Sequence, residues 1–581
     1  MSDANAHGAS QASTPAEDRP TISGHGGAHM VAAAQEYGIE TLFTLSGAHI
    51  FPLYDAAVGG PAGYEAAGRD NAAALADGPM RLVDTRHEAT AVFAAEGTAK
   101  LTRTPGFAAI TAGPGVTNGI SALASAYFNG VPMLVVGGRA PAFRWGTGAL
   151  QEIDHVPLVA PVTKAARTFD DPATIGADTS ALLAEAVAAH PGPVFADVPM
   201  DRFYTPAEAP APHPVHLPRA VADAEDIGAI AALLAAAEHP VLILGSDVWT
   251  SGAELAARTF AEATGVPVIA NGMARGILPR GHRLLVSRAR GAAFSGADLV
   301  IVAGTPLDFR LGYGRFGDPP APVVHLADAL DQVSLHAEPR ATAVGDLATT
   351  FAALTEAAEA DGLGGADYTA WAQSLRATAD AAIAADAALL SSDADPIHPA
   401  RIYGELLPRL TDDTIVIGDG GDFVSFAGRF VEPTRPGRWL DPGPYGCLGT
   451  GLGYALAAGV AYPDDPCVLL LGDGAAGFSL MDVDTLVRHN IPTVMVMGNN
   501  GAWGLEKHPM RLLHTYDVAA DLQPGLRYDE VVRALGGAGE LVTRPGDIGP
   551  ALDRALAAGA PYLVNVITDP EAAYPRSTTG L

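Results

Sequence analysis

Short apolar runs, most of them closing on glycine, aspartate or asparagine, recur along the whole chain with alanine-rich stretches between them. That alternation is the strongest constraint on the fold. An apolar run bounded by turn residues reads as a buried strand, and the stretch after it as a helix. Strand–helix–strand order sustained over a long chain predicts parallel sheets with helices on both faces. TLFTLSG, RLVDT, FAAITAG and MLVVGGR form a first set, and PVLILGS, PVIAN, DLVIVAG and PVVHLAD a second. TIVIGDG, PCVLLLGDG, PTVMVMGNN and PYLVNVIT form a third.

At 581 residues the chain is too long for one core. The three sets predict three doubly wound, parallel-sheet α/β domains at 25–200, 221–355 and 396–570. A proline-rich passage at 201–220 and an acidic, alanine-rich passage at 356–395, partly helical, read as linkers. Residues 1–24 carry no basic-then-apolar signal pattern and read as a disordered leader. Residues 571–581 form a polar tail bearing Arg576, suited either to closing over a phosphorylated ligand or to remaining a disordered terminus.

Thirty-five basic against 65 acidic groups give a net charge of −30, which repels nucleic acid and anionic membranes. No apolar run has membrane-spanning length, so a cytoplasmic protein acting on small molecules is expected. Any anionic ligand must then be held locally, by glycine turns, helix N-termini, a metal or a few arginines. Cys447 and Cys467 fit no zinc spacing and read as small core residues.

The clearest local signal is Gly472-Asp473-Gly474 at the end of one apolar strand, with Asn499-Asn500 at the end of the next. Asp473 and Asn500 lie 27 residues apart, enough for one crossover that returns both to the same sheet edge. The glycines permit close backbone approach to an anion, and the oxygen donors suit Mg²⁺. A GDG turn alone is compatible with a purely structural role; the pair at this spacing is a metal–anion pattern.

GDG followed by NN resembles the diphosphate-binding signature of thiamine-diphosphate enzymes, the family of acetolactate synthase, oxalyl-CoA decarboxylase and 2-hydroxyacyl-CoA lyase. The resemblance implies Mg²⁺ on Asp473, the Asn500 side chain and the Ala502 carbonyl, with Gly472, Gly474 and Ala475 at the diphosphate. It also implies three domains, pyrimidine-binding, central nucleotide-binding and diphosphate-binding, in a homodimer or homotetramer. RHEATAVFAAEGTAK followed by GPG resembles the family's activating helix, so Glu88 is the expected partner of the cofactor's aminopyrimidine ring. Taken alone, a glutamate in a first helical turn is more often a solvated partner of the helix dipole. Leu448, in DPGPYGCLGTGLGYALAAG, falls where the family places an apolar wedge under the cofactor.

GLGYALAAG, GDGAAGFSLMDVDT and NNGAWG resemble the acyl-CoA branch more than the synthases. They imply a lyase that cleaves a 2-hydroxyacyl-CoA to formyl-CoA and an aldehyde or ketone, with pyruvate carboligation as the alternative and oxalyl-CoA decarboxylation behind it. His49 and Glu506 are the candidate bases for the 2-hydroxyl proton. His49 reads equally as a satisfied loop histidine, and Glu506 as a surface acid. SGAHIFP and LEKHPM, which carry them, match a subgroup of actinobacterial synthase-like lyases. By the same resemblance the central domain holds ADP or FAD, with Asp328 at a ribose and Arg275 and Arg290 at a diphosphate.

Overall fold

The computed structural model describes residues 19–360 and 362–575. All three expected units form, each around a parallel sheet. In the first, six strands lie in the order Arg81–Asp84, Thr41–Thr44, Gly106–Ile110, Met133–Arg139, Pro193–Pro199, Ala165–Thr168. The central sheet runs Val268–Ala270, Pro240–Leu244, Leu299–Ala303, Val323–Ala327, Ala341–Val344. The third has six strands, with Ile415–Asp419, Cys467–Gly472, Val494–Asn499 and Tyr562–Ile567 between the edges Trp439–Leu440 and Ala538–Val542. Strands buried on both faces read as continuous apolar runs, which is why the alternation was so plain.

The segments assigned to leader and linker need one correction. Thr21–His25 is a strand, paired antiparallel with Pro206–Pro210 from the proline-rich passage. Proline is tolerated there because the pair is a two-stranded ribbon in which both strands are edges. The second passage is helical at Thr369–Ala385 and Ala387–Leu390.

First and third units share one apolar core, built where helix Glu88–Thr102 crosses helix Thr450–Ala461. Glycine permits that approach. A Cβ on Gly453 would lie 2.6 Å from the Phe93 side chain, and one on Gly97 would lie 2.9 Å from Ala457. The third unit also caps the first helix's entry, because Asp482 accepts from the Arg86 N–H at 2.7 Å and the Thr90 hydroxyl at 2.7 Å. The core contact and this cap hold the sheet edge that carries Glu88 in register with the third unit.

Candidate active site

Strand Cys467–Gly472 ends on the glycine, and Asp473 opens the helix Asp473–Ser479. Its carboxylate is buried and accepts from the Gly501 N–H at 2.9 Å. Burial raises the Asp473 pKa to about 6, against the backbone N–H groups that favour its charged form. Asn500 follows the neighbouring strand and turns its Oδ1 towards the Ala502 N–H, 3.1 Å away. Asn499 faces inward instead, donating to Asn565 Oδ1 at 3.0 Å and to the Leu526 carbonyl at 3.1 Å.

Around them is a cleft with about 470 Å³ of open volume, its lining drawn entirely from residues 420–506. Gly472, Gly474, Ala475, Leu448, Ala502 and Glu506 all line it with Asp473 and Asn500. A Cβ on Gly472 would meet nothing within 4 Å, so the backbone there is open to a ligand. Gly474 is different: a Cβ would strike the Trp503 ring at 2.6 Å. An open glycine turn at a helix N-terminus, beside a buried carboxylate and a carboxamide oxygen, fits a diphosphate bridged by Mg²⁺.

Glu88 is buried at the start of its helix, and its Oε2 accepts from Asn118 Nδ2 at 3.0 Å. His49, also buried, contacts the Thr111 hydroxyl through Nδ1 at 3.1 Å. Burial lowers the His49 pKa, and His155 adds to the shift. A Cβ on Gly115 would lie 2.9 Å from Thr111 Cγ2 and 3.7 Å from Glu88 Oε1, so His49, Thr111 and Glu88 share one sheet edge. Neither Glu88 nor His49 lines the cleft at Asp473. Glu88 and His49 therefore stand on a different wall of the chain from the Asp473 cleft.

Glu506 lies exposed on the cleft rim, in the first turn of helix Gly504–His514. Lys507, next to it in the chain, is buried and pairs with Asp521 at 2.6 Å. Tyr574 reaches the cleft, its N–H donating to Asp422 Oδ2 at 3.0 Å, while Arg576 lies outside the described residues.

Several positioning residues carry no local mark in the sequence. Asn118 holds Glu88 from the neighbouring helix. His155 Nε2 accepts from the Gly113 N–H at 3.0 Å and Nδ1 meets Asp197 Oδ1 at 2.9 Å, which pins the GPG turn. Asp419, fully buried, accepts from the Gly449 and Gly451 N–H groups at 3.0 and 2.9 Å and so sets the loop of Leu448.

In the central unit the expected nucleotide contacts are engaged within the protein. Arg275 donates to the Val431 and Gly428 carbonyls of the third unit at 3.1 and 2.9 Å. Arg290 donates to Asn271 Oδ1 at 3.1 Å and to the Arg310 carbonyl. Asp328 meets His190 of the first unit, both carboxylate oxygens lying 3.0 Å from Nδ1. A Cβ on Gly245 would lie 2.3 Å from the Gly304 carbonyl, and one on Gly345 would lie 2.6 Å from the Ala222 nitrogen. These turns pack against the chain itself, unlike the open turn at Gly472.

The His190 cluster gives a pH prediction. Burial alone would lower the imidazole, but Asp247 and Asp328 outweigh it and lift its pKa from 6.5 to about 9. Burial raises Asp247 from 3.8 to about 7, with His190 opposing. Lys164, Arg310 and Asp331 also face the group. Both shifts are upward, so the folded state binds extra protons and stability falls as pH rises. The His190 contribution is complete below 6.5 and lost through about 9. A melting profile should therefore drop between those values, and His190→Gln should flatten it. An unchanged slope in the variant would remove His190 as the cause.

Three domain families match this chain: thiamine pyrophosphate enzyme N-terminal TPP binding domain over residues 24–158, central domain over 227–354, and C-terminal TPP binding domain over 419–566. A probable acetolactate synthase of Mycobacterium bovis is 48% identical over 562 residues, 96% of this chain and 98% of that one. The acetolactate synthase large subunit IlvG of Mycobacterium tuberculosis matches equally. A 2-hydroxyacyl-CoA lyase 2 of Caenorhabditis elegans is 34% identical over 92% of this chain and 87% of that one. Among the described residues no helix is long and apolar enough to cross a membrane.

Proposed function

Because this chain belongs to the thiamine pyrophosphate enzyme family, we propose that it is a carboligase of acetolactate-synthase type, joining two pyruvate molecules with loss of CO₂. The supporting observation is the 48% identity to an acetolactate synthase across almost the full length of both chains. The lyase relatives are more distant, at 34% and 33%. This reverses the order drawn from GLGYALAAG and GDGAAGFSLMDVDT. Of GDGAAGFS, Gly472 to Ala475 line the cleft, and GLGYALAAG lies in the helix Thr450–Ala461. On this reading both segments serve the cofactor, which either chemistry would use, so their spelling discriminates substrate poorly.

Bound thiamine diphosphate supplies a carbon nucleophile and an electron sink, the chemistry needed to make or break a carbon–carbon bond beside a carbonyl. The chain's part is positioning and proton control. Asp473, Asn500 and the Ala502 carbonyl would hold Mg²⁺, and Gly472 offers open backbone to the diphosphate. Leu448 supplies an apolar wall. Glu88, fixed through Oε2 by Asn118, keeps its other oxygen for the cofactor ring. Because Glu88 and the Asp473 cleft occupy different walls of one chain, the first unit of a second copy completes each site in a homodimer or homotetramer.

A second reading, 2-hydroxyacyl-CoA cleavage to formyl-CoA and a carbonyl product, is favoured by one observation. Glu506 stands exposed on the cleft rim, where a carboxylate could take the 2-hydroxyl proton. Purified holoenzyme given pyruvate should release CO₂ and acetolactate at a rate at least roughly tenfold above thioester cleavage of a 2-hydroxyacyl-CoA, an advantage of about 1.4 kcal/mol in barrier height. Thioester cleavage without acetolactate would replace the carboligase by the lyase.

A further inference from the structure

A second cavity, with about 1390 Å³ of open volume, is larger than the cleft at Asp473 and shares no lining residue with it. It lies along the edge strand Arg81–Asp84, walled by helix Asn71–Asp77 and by Arg488–Asn490 of the third unit. Nothing in the carboligase reading uses it.

Its polar groups do not balance one another. Asp84 is already committed, with Arg488 Nη1 at 2.8 and 2.7 Å from its oxygens and His489 Nε2 at 3.0 Å. Tyr54 and Thr44 pair their hydroxyls at 2.8 Å. Tyr64 donates to Asn71 Oδ1 at 3.0 Å, which leaves the Asn71 amide hydrogens as donors. Arg81 is half-buried, and among the described residues its guanidinium has no hydrogen-bonding or ionic partner. Burial is the single influence on its pKa, and lowers it. The cavity thus presents unanswered donors inside a protein of net charge −30.

An unanswered guanidinium flanked by amide hydrogens calls for an anionic acceptor, and its planar fork matches a carboxylate in two parallel hydrogen bonds. Apart from Ser46 and Asn490 the remaining wall is apolar, with Val58, Leu75 and Leu82 lining the same space. A hydrated inorganic anion would leave that wall exposed to water, whereas a hydrocarbon body would cover it. We propose that this cavity is a binding site for a small organic monocarboxylate with a short hydrocarbon body, its carboxylate on Arg81 and its carbon chain against Val58, Leu75 and Leu82. The site is separate from the cofactor cleft, and the proposal stands whichever reaction that cleft performs.

Calorimetric titration of acetate, isobutyrate and hexanoate into the enzyme loaded with thiamine diphosphate and Mg²⁺ tests it. At least one longer acid should bind saturably, one per chain, and more tightly than acetate. Arg81→Gln should weaken that binding tenfold or more, and Leu75→Trp, which fills the apolar end, should do the same. Arg81→Gln should keep the wild-type melting temperature, since the guanidinium has no partner among the described residues. Leu75→Trp counts only if its circular dichroism and cooperative melt match the wild type, because Leu75 packs against the first unit's core. Asp473→Ala should leave binding of the acid unchanged. The proposal fails if none of the three acids binds, or if Arg81→Gln binds as the wild type does. It also fails if Asp473→Ala abolishes binding, which would put the acid in the catalytic cleft, or if inorganic phosphate binds Arg81 as tightly as the best acid.

Discussion

Glu88→Gln is expected to yield a folded, cofactor-binding protein that turns over at least about a hundredfold more slowly, the scale of a lost acid–base group. The substitution keeps the shape and the burial. The helix it opens is held by its apolar face against Thr450–Ala461, by the Asp482 cap and by His87, whose ring accepts from the Ala89 N–H at 3.1 Å. None of these uses the carboxylate. What disappears is an oxygen pair that can accept from Asn118 on one side and hold a proton against a ring nitrogen on the other. The amide presents one oxygen and one NH₂, and Asn118 already brings an NH₂ to the same place. If the amide oxygen turns to Asn118, only a donor faces the cofactor. Steady-state kinetics with calorimetric cofactor affinity measures both halves of this expectation. Activity within a few-fold of wild type would remove Glu88 from the reaction.

The sequence disclosed the fold wherever burial was two-sided. All twelve apolar runs are strands of the three sheets. The strands it did not disclose are mostly edges: Ala165–Thr168, Ala341–Val344, Trp439–Leu440 and Ala538–Val542. An edge strand is short and partly solvated, so it carries no long apolar run. Pro193–Pro199 is the exception, an interior strand masked by two terminal prolines and by Asp197 inside it. That buried aspartate interrupts the pattern because it serves His155 and Arg139.

The same logic divides the site. Asp473 and Asn500 were legible as neighbours because each directly follows a strand, so local spacing carries the geometry. Glu88, four residues beyond its strand, was singled out by resemblance and not by spacing. Asn118, Asp419 and Asp482 were not legible, since each acts on a residue at least 30 positions away. Asp328 shows the limit most clearly. Its place after a strand was readable, but the His190 that occupies it lies 138 residues earlier, in another unit. Sequence spacing cannot distinguish a carboxylate free for a ribose from one already paired.

Asp473→Ala is expected to abolish turnover by a different route, and the two defects together test how the site is assembled. The wild-type carboxylate is buried beside open backbone at Gly472, and its charge is answered only in part by the Gly501 N–H. Removing it leaves Asn500 and the Ala502 carbonyl without an anionic partner for a divalent cation, so Mg²⁺-dependent cofactor affinity should fall by roughly tenfold or more. Unchanged affinity would place the metal elsewhere. Neither single variant should be active alone, yet a mixture of the two need not be dead. If Glu88 of one copy faces Asp473 of another, a mixed dimer contains one site with both residues intact and one with neither. Random exchange of equal amounts makes about half the dimers mixed, each with one of two sites restored, so activity should return to about a quarter of wild type. If each chain assembled its own site, every site would lack one residue and mixing would restore nothing. Dissociating and reassociating the two variants, then assaying turnover, therefore separates a shared site from a self-contained one, and an inactive mixture of demonstrably exchanged chains would overturn the shared arrangement.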